Sequence, residues 1–249
     1  MPKDTSIEWT EHTWNAFSGC VKVSPGCDNC YAETIANGRW GSPAFPNGFD
    51  LTLRPHKVRD PMKWKTPSRI FVNSMSDLFL GNVPVDYLVK IWDTMLEADW
   101  HQYQILTKRP IPAARLIEDL NLDLPPHIWL GVSVESQEWA DQRIPALLDI
   151  PARVRFLSCE PLLGPVDITP YIDGLDWVID GGESGPKRRP ASYDWFRSIR
   201  DQCNANGVSY FHKQGNAHLS GKDRILDGCT WDEYPGEYVT SSEIRHMVE

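Results

Sequence analysis

Three cysteines lie close together in a chain of 249 residues, in the order Cys20-Val-Lys-Val-Ser-Pro-Gly-Cys27-Asp-Asn-Cys30. The C-x2-C pair lets two thiolates reach one metal centre, and the turn-prone Ser24-Pro25-Gly26 can return Cys20 to join them. Three thiolates on a four-iron cluster leave one iron without a protein ligand, able to take a small molecule. A [4Fe–4S] cluster held by Cys20, Cys27 and Cys30 is therefore the first reading of this loop. The alternative is zinc, whose tetrahedral site wants a fourth donor and usually pairs two C-x2-C knuckles. No second knuckle is present, so Cys159, Cys203, Cys229 or His12 would have to complete it. A third reading leaves the thiols unconnected and gives the Pro-Gly-Cys-x2-Cys arrangement no role. Cys203 and Cys229 read as ordinary small residues. Cys159 stands apart because it falls at the end of an expected strand.

The elements that would position these groups follow from a recurring pattern. Short apolar runs each end in polar residues: Ile70–Val72 before Asn73, Ser74, Ser76 and Asp77; Tyr103–Leu106 before Thr107, Lys108 and Arg109; Ile128–Val132 before Ser133 and Glu135. Val154–Leu157 then runs into Ser158, Cys159 and Glu160, Trp177–Ile179 into Gly181, Gly182, Glu183 and Ser184, and Val208–Phe211 into His212, Lys213 and Gln214. Their starts lie about 23 to 33 residues apart, the span of one β-α unit. Val85–Ala98, Trp139–Leu148 and Tyr193–Cys203 carry helical apolar periodicity between them. With a further short strand near Trp14–Ser18, the pattern predicts an α/β fold: a partial or complete (β/α) barrel of about six to eight mainly parallel strands. An open doubly wound sheet is the other architecture this spacing fits. The six polar clusters would then share the C-terminal mouth, where barrel enzymes place their chemistry, although any one of them can equally cap a helix.

Composition bounds the rest. The hydrophobic fraction of 41% and charged fraction of 24% are those of an ordinary globular chain, and no run approaches the apolar length of a membrane span. The opening MPKDTSIEWTEH has no apolar h-region, which reads as cytoplasmic. There six cysteines point to metal or redox chemistry rather than disulfides. A net charge of −9 argues against bulk nucleic-acid binding but leaves two local basic runs, Lys108-Arg109 and Lys187-Arg188-Arg189. G-x-x-x-x-G-K-[ST], G-x-G-x-x-G, G-x-S-x-G and H-E-x-x-H are all absent. The chain reads as one barrel domain over 1–249, with an N-terminal segment 1–40 carrying the cysteine loop and a C-terminal extension 215–249.

The stretches IEWTEHTWNAFSGCVKVSPGCDNCYAE, FVNSMSDLF, ILTKRP, WLGVSVES, FLSCEPLLGP, WVIDGGESGP, HKQ and LDGCTWDEYP occur in that order. Together they resemble a bacteriophage and prophage family marked by this three-cysteine motif, a family of unassigned activity. That family in turn resembles a divergent branch of the radical S-adenosylmethionine (SAM) enzymes. The resemblance implies a [4Fe–4S] cluster on Cys20, Cys27 and Cys30 whose open iron chelates SAM. It also implies reductive cleavage to a 5′-deoxyadenosyl radical and hydrogen abstraction, with a flavodoxin or ferredoxin as reductant. The chain departs from the superfamily's C-x3-C-x2-C spacing, and its aromatic, Tyr31, follows the last cysteine instead of preceding it. The Gly-Gly-Glu element, here Gly181, Gly182 and Glu183, falls on the sixth strand instead of the second. Asn73, Ser74, Ser76 and Asp77 hold the second-strand place, and Ser133 and Glu135 the fourth-strand place that commonly contacts ribose.

On this reading His212, Lys213 and Cys159 are the catalytic candidates. A nucleotide or nucleic-acid component is the expected substrate, with Lys108, Arg109, Arg188 and Arg189 meeting phosphates, Glu160 beside them, and Trp or Tyr rings stacking on bases. Two rivals remain: a non-enzymatic zinc- or cluster-stabilised phage binding module, and a cluster-free metallohydrolase built on Asp77, Glu160, Glu183 and His212.

Overall fold

In a computed structural model of the chain, which describes residues 5–236, seven parallel strands form one curled sheet, a half-barrel. They are β1 (His12–Trp14), β2 (Arg69–Val72), β3 (Gln102–Thr107), β4 (Ile128–Ser133), β5 (Arg155–Cys159), β6 (Trp177–Gly181) and β7 (Ser209–Gln214). Their spatial order is their chain order, so β1 and β7 are the two edges. The helices are α1 (Tyr31–Gly38), α2 (Val85–Glu97), α3 (Pro110–Asp119), α4 (Gln137–Leu148) and α5 (Tyr193–Asn206). A 3-10 segment, Thr169–Gly174, takes the helix's place between β5 and β6.

Local chemistry explains the element ends. Ser192 caps α5 by accepting a bond from the Asp194 amide, and Gly207 ends it in the left-handed conformation (φ 69°). Pro110 opens α3, where its missing N–H costs nothing. The first strand is shorter than the expected Trp14–Ser18 run. Phe17–Ser18 leaves the sheet to pair antiparallel with Thr52–Leu53.

Strand alternation splits the apolar residues into two layers. Trp9, Phe71, Trp129, Phe156, Trp177, Ile179 and Phe211 fill the inside of the curl. Ile70, Tyr103, Leu130, Leu157, Val178 and Tyr210 pack outward with the helices. Trp177 lies at the centre of the inner layer, its ring 5.6 Å from Phe156 and 6.1 Å from both Trp9 and Phe211. Truncating such a ring costs about 3–5 kcal/mol.

Residues in register across a parallel sheet share a face, so the same split reaches the mouth. Ser133, Ser158, Ile179 and Phe211 form one inward row. Cys159, Asp180 and His212 form the neighbouring row, which points outward to the helical layer. Residues 215–236, the described part of the C-terminal extension, include the ribbon Ile225–Leu226 with Cys229–Thr230 and a bridge from Asp232 to Phe211. No helix of the described residues is long and apolar enough to cross a membrane.

Candidate functional site

The cysteine loop leaves β1 and crosses the C-terminal mouth. Gly19 launches it in the left-handed region (φ 96°), with no room for a side chain, since a Cβ would meet Asp50 O at 2.4 Å. The Gly19 amide bonds Met75 O at 3.1 Å, tying the start of the loop to the segment after β2. A short 3-10 turn, Pro25–Cys27, follows, and Cys30 then caps α1. The thiols of Cys20, Cys27 and Cys30 are free and each is half-buried. Burial raises the Cys20 thiol above its ordinary value, opposed by the Arg109 guanidinium 3.5 Å away. Burial likewise raises Cys30, opposed chiefly by the Glu33 and Ala32 amides of the first turn of α1, and Lys108 also lowers it.

Three mouth residues fasten the loop. At its first end, Asp77 is buried and accepts four bonds: from the Phe79 amide (3.1 Å), Thr107 Oγ1 (2.8 Å), the Lys108 amide (3.0 Å) and Arg109 Nη1 (2.9 Å). Arg109, so aimed, also donates Nη2 to Val21 O at 2.5 Å. Burial pulls this guanidinium down, but Asp77 and Cys20 outweigh it and the net shift is upward. In the middle, Gly26 lies directly over Glu135, where a Cβ would come within 2.9 Å of Oε1. Glu135 is itself fully buried and paired through Oε2 with Arg143 Nη1 at 2.8 Å. At the far end, Glu183 accepts from Arg189 Nη2 (2.5 Å), Nε (3.0 Å) and amide (2.8 Å), and from Asn29 Nδ2 (2.9 Å). Arg189 continues to Pro25 O at 2.9 Å and Asp28 Oδ2 at 3.3 Å. Burial works to raise the Glu183 carboxyl, but these donors prevail and hold it below its ordinary value.

The other predicted residues separate by face. Asn73 is buried at the end of β2 with φ 59°, and neither Nδ2 nor Oδ1 has a hydrogen-bond partner among the described residues. Glu135 Oε1 is likewise unpartnered. Ser74 meets Asn15 Nδ2 through its hydroxyl at 3.1 Å and accepts the Tyr31 hydroxyl on its carbonyl at 2.5 Å. Ser76 donates to Phe17 O at 3.3 Å. Ser133 holds Arg143 through its carbonyl at 2.7 Å. Gly182 exchanges two bonds with Gln214, and Gly181 O accepts from the Leu162 amide at 2.9 Å. Lys213 forms an ion pair with Glu160. Arg188 donates Nε to Asn216 O at 2.8 Å, away from the loop.

His212 and Cys159 do not face the inside of the curl. His212 Nδ1 lies 2.7 Å from Asp180 Oδ1, and Tyr210 donates its hydroxyl to Asp180 Oδ2 at 2.6 Å, all within the sealed layer beneath α5. The Phe196 ring lies 5.0 Å from the imidazole. Burial raises Asp180, with His212 and Tyr210 opposing, and burial pushes the Cys159 thiol far up, where it stays protonated. Sequence reasoning passed over Asn29 and Asp28, although both lie inside the cysteine motif, and took Gly26 only as part of a turn. It also passed over Asn15 and Arg143, whose roles depend on partners from other elements.

Fold and loop together define a class of protein: a parallel α/β half-barrel carrying a three-thiol loop across its C-terminal mouth. Residues 4–235 match the family described as "Protein of unknown function (DUF5131)", and the chain belongs to it. Two solved structures share the architecture. One is spore photoproduct lyase complexed with dinucleoside spore photoproduct: TM-score 0.50, 13% identity, 82% of this chain and 64% of that chain. The chain thus spans less than two thirds of that protein's length. The other is a tyrosine-to-phenylalanine mutant of spore photoproduct lyase: TM-score 0.54, 9% identity, 86% of this chain and 79% of that one. At these identities the likeness is one of fold, the parallel α/β half-barrel. No curated protein sequence matches.

Proposed function

We propose that the chain is a radical SAM-type enzyme that holds a [4Fe–4S] cluster on Cys20, Cys27 and Cys30 and acts on a nucleotide or nucleic-acid component. The observation that carries this reading is the placement of three free thiols on one loop fastened across the C-terminal mouth of the half-barrel. The residues fit such a group. Thiolates are the donors iron–sulfur clusters take; burial raises the Cys20 and Cys30 thiols, and Arg109 beside Cys20 and Lys108 near Cys30 offset part of that rise. No three His, Cys, Asp or Glu side chains among the described residues converge on a single-ion position. A multi-iron cluster takes its thiolates on separate irons, so it makes no such demand.

Cluster and SAM would supply one-electron reductive cleavage and a 5′-deoxyadenosyl radical for hydrogen abstraction. This chain's own residues bind, orient and exclude water. Of the buried polar groups without a partner among the described residues, the Asn73 carboxamide is the one we assign to a bound ligand, while Glu135 Oε1 and Arg143 Nε and Nη2 lie together beneath Gly26 of the loop. Lys108 and the Glu160–Lys213 pair supply charge at the same rim. Phe71, Trp129, Phe156 and Phe211 close the curl below and keep it dry. The dinucleoside bound by one structural neighbour supports a nucleotide-class substrate for this fold. A flavodoxin- or ferredoxin-like protein would be the electron donor.

The test is anaerobic reconstitution with iron, sulfide and zinc measured together, and electron paramagnetic resonance of the reduced protein with and without SAM. About four irons per chain and a spectrum perturbed by SAM support the proposal. One zinc, no iron and no response to SAM would replace it with the zinc-stabilised binding module. Release of 5′-deoxyadenosine with oligonucleotides or free nucleotides then tests the substrate class.

A further inference from the structure

The Gly-Gly-Glu element and the basic run after it close and follow the sixth strand, where the mechanism gives them no ligand to hold, and the side chains of Glu183 and Arg189 turn toward the cysteine loop. Glu183 accepts three bonds from Arg189 and a fourth from Asn29, which sits between Cys27 and Cys30. Asn29 Nδ2 also reaches Lys187 O at 3.0 Å. Arg189 spans from that carboxylate to Pro25 O and Asp28 Oδ2. The segment after β6 therefore grips the Cys27–Cys30 half of the loop. The Asp77–Arg109 pair, reaching Cys20 and Val21 O, grips the other half independently.

We infer that Glu183 and Arg189 are positioning residues, a clasp that holds Cys27 and Cys30 in place across the mouth while Asp77 and Arg109 hold Cys20. The two grips differ in exposure: Arg109 and Asp77 have 11% and 7% of their side-chain surface exposed, Arg189 and Glu183 34% and 4%, so the Arg189 guanidinium is the group most open to water. The purpose of the clasp rests on the proposed function, but its existence does not.

The test labels the metal-free, reduced protein with iodoacetamide and follows each cysteine by mass spectrometry. Cys229 is exposed and provides the reference rate, and Cys20 in the same molecule reports on the other grip. In Arg189→Ala and Glu183→Gln, Cys27 and Cys30 should label about ten- to a hundredfold faster relative to Cys229, as charged hydrogen bonds are lost, with Cys20 unchanged. In Asp77→Asn the order should reverse. Arg189→Lys keeps the charge and loses the fork, and should still accelerate labelling. Unchanged or slower labelling of Cys27 and Cys30 in all three variants would overturn the clasp. Faster labelling in a protein that takes up zinc and no iron would retain the clasp and remove the radical mechanism.

Discussion

Asp77→Asn is the most informative single change, because it sets a positioning role for Asp77 against a ligand-binding one. The carboxylate is buried and both oxygens are occupied: Oδ1 by the Phe79 amide and Thr107, Oδ2 by the Lys108 amide and Arg109. A carboxamide of the same shape has one acceptor only. With its NH2 on the Oδ1 side the bond from the Phe79 amide is lost while the Thr107 hydroxyl can turn to accept; on the Oδ2 side both the Lys108 amide bond and the charge-assisted Arg109 bond are lost. Removing one partner of a buried ion pair costs about 3–5 kcal/mol. That is a large share of the 5–15 kcal/mol typical of a domain. The assay is urea denaturation of the apo protein followed by tryptophan fluorescence, compared with wild type at the same pH. A destabilisation below about 1 kcal/mol, the scale of an exposed ion pair, would refute the reasoning. In that case Asp77 is free to serve a ligand, and SAM affinity in the reconstituted protein becomes its measure.

The outward row makes a second prediction: His212→Ala should destabilise the fold by about 1–3 kcal/mol, by leaving Asp180 Oδ1 without its hydrogen-bond partner beneath α5. Loss of product with unchanged urea stability would instead bring His212 back to the chemistry. Burial pushes the Cys203 thiol up to about 12 from 9.0, with Asp180 and Glu233 adding to it. A folded value above the unfolded one means stability present below pH 9 and lost as pH rises toward 12. The loss is about 1.4 kcal/mol by pH 10. Cys203→Ala should flatten the stability-versus-pH profile by that amount, and equal slopes in the two proteins would contradict it. Gly26→Ala should cost about 1–3 kcal/mol by pressing a methyl onto the Glu135 carboxylate. The same urea titration reads it, and a neutral outcome means that the loop does not rest on Glu135.

Much of the architecture was legible in the sequence. Apolar runs ending in polar clusters at β-α spacing gave the strands of the half-barrel and the face on which its polar groups gather. The periodicity read over Val85–Ala98, Trp139–Leu148 and Tyr193–Cys203 located three of the helices, α2, α4 and α5. Pro110 and Pro112 concealed α3, since prolines read as breaks unless they fall in a first turn, as these do. The first strand ended early because Phe17 and Ser18 found partners in Thr52 and Leu53, a pairing without local signal.

The cysteines were legible because their chemistry is local, three residues of one type in one loop. The residues around them were not, and strand alternation is one reason. His212 and Lys213 are neighbours in sequence and were grouped as a pair of catalytic candidates, as were Cys159 and Glu160 with the mouth. Adjacent residues of a strand point to opposite faces, however, so one of each pair must leave the cavity. The inward positions of Phe211 and Ile179 decide which. Acceptor saturation is the other reason. Asp77, Glu135 and Glu183 are alike as letters, each an acid at a strand end. Only their partners separate them: Asp77 and Glu183 are filled by donors arriving from other segments, including Arg109 and Asn29, whereas Glu135 pairs through one oxygen with Arg143 and carries the Gly26 turn of the loop over the other. A carboxylate with its lone pairs engaged holds structure together, and which of the three does so depends on donors far away in sequence. That distinction exists only in three dimensions.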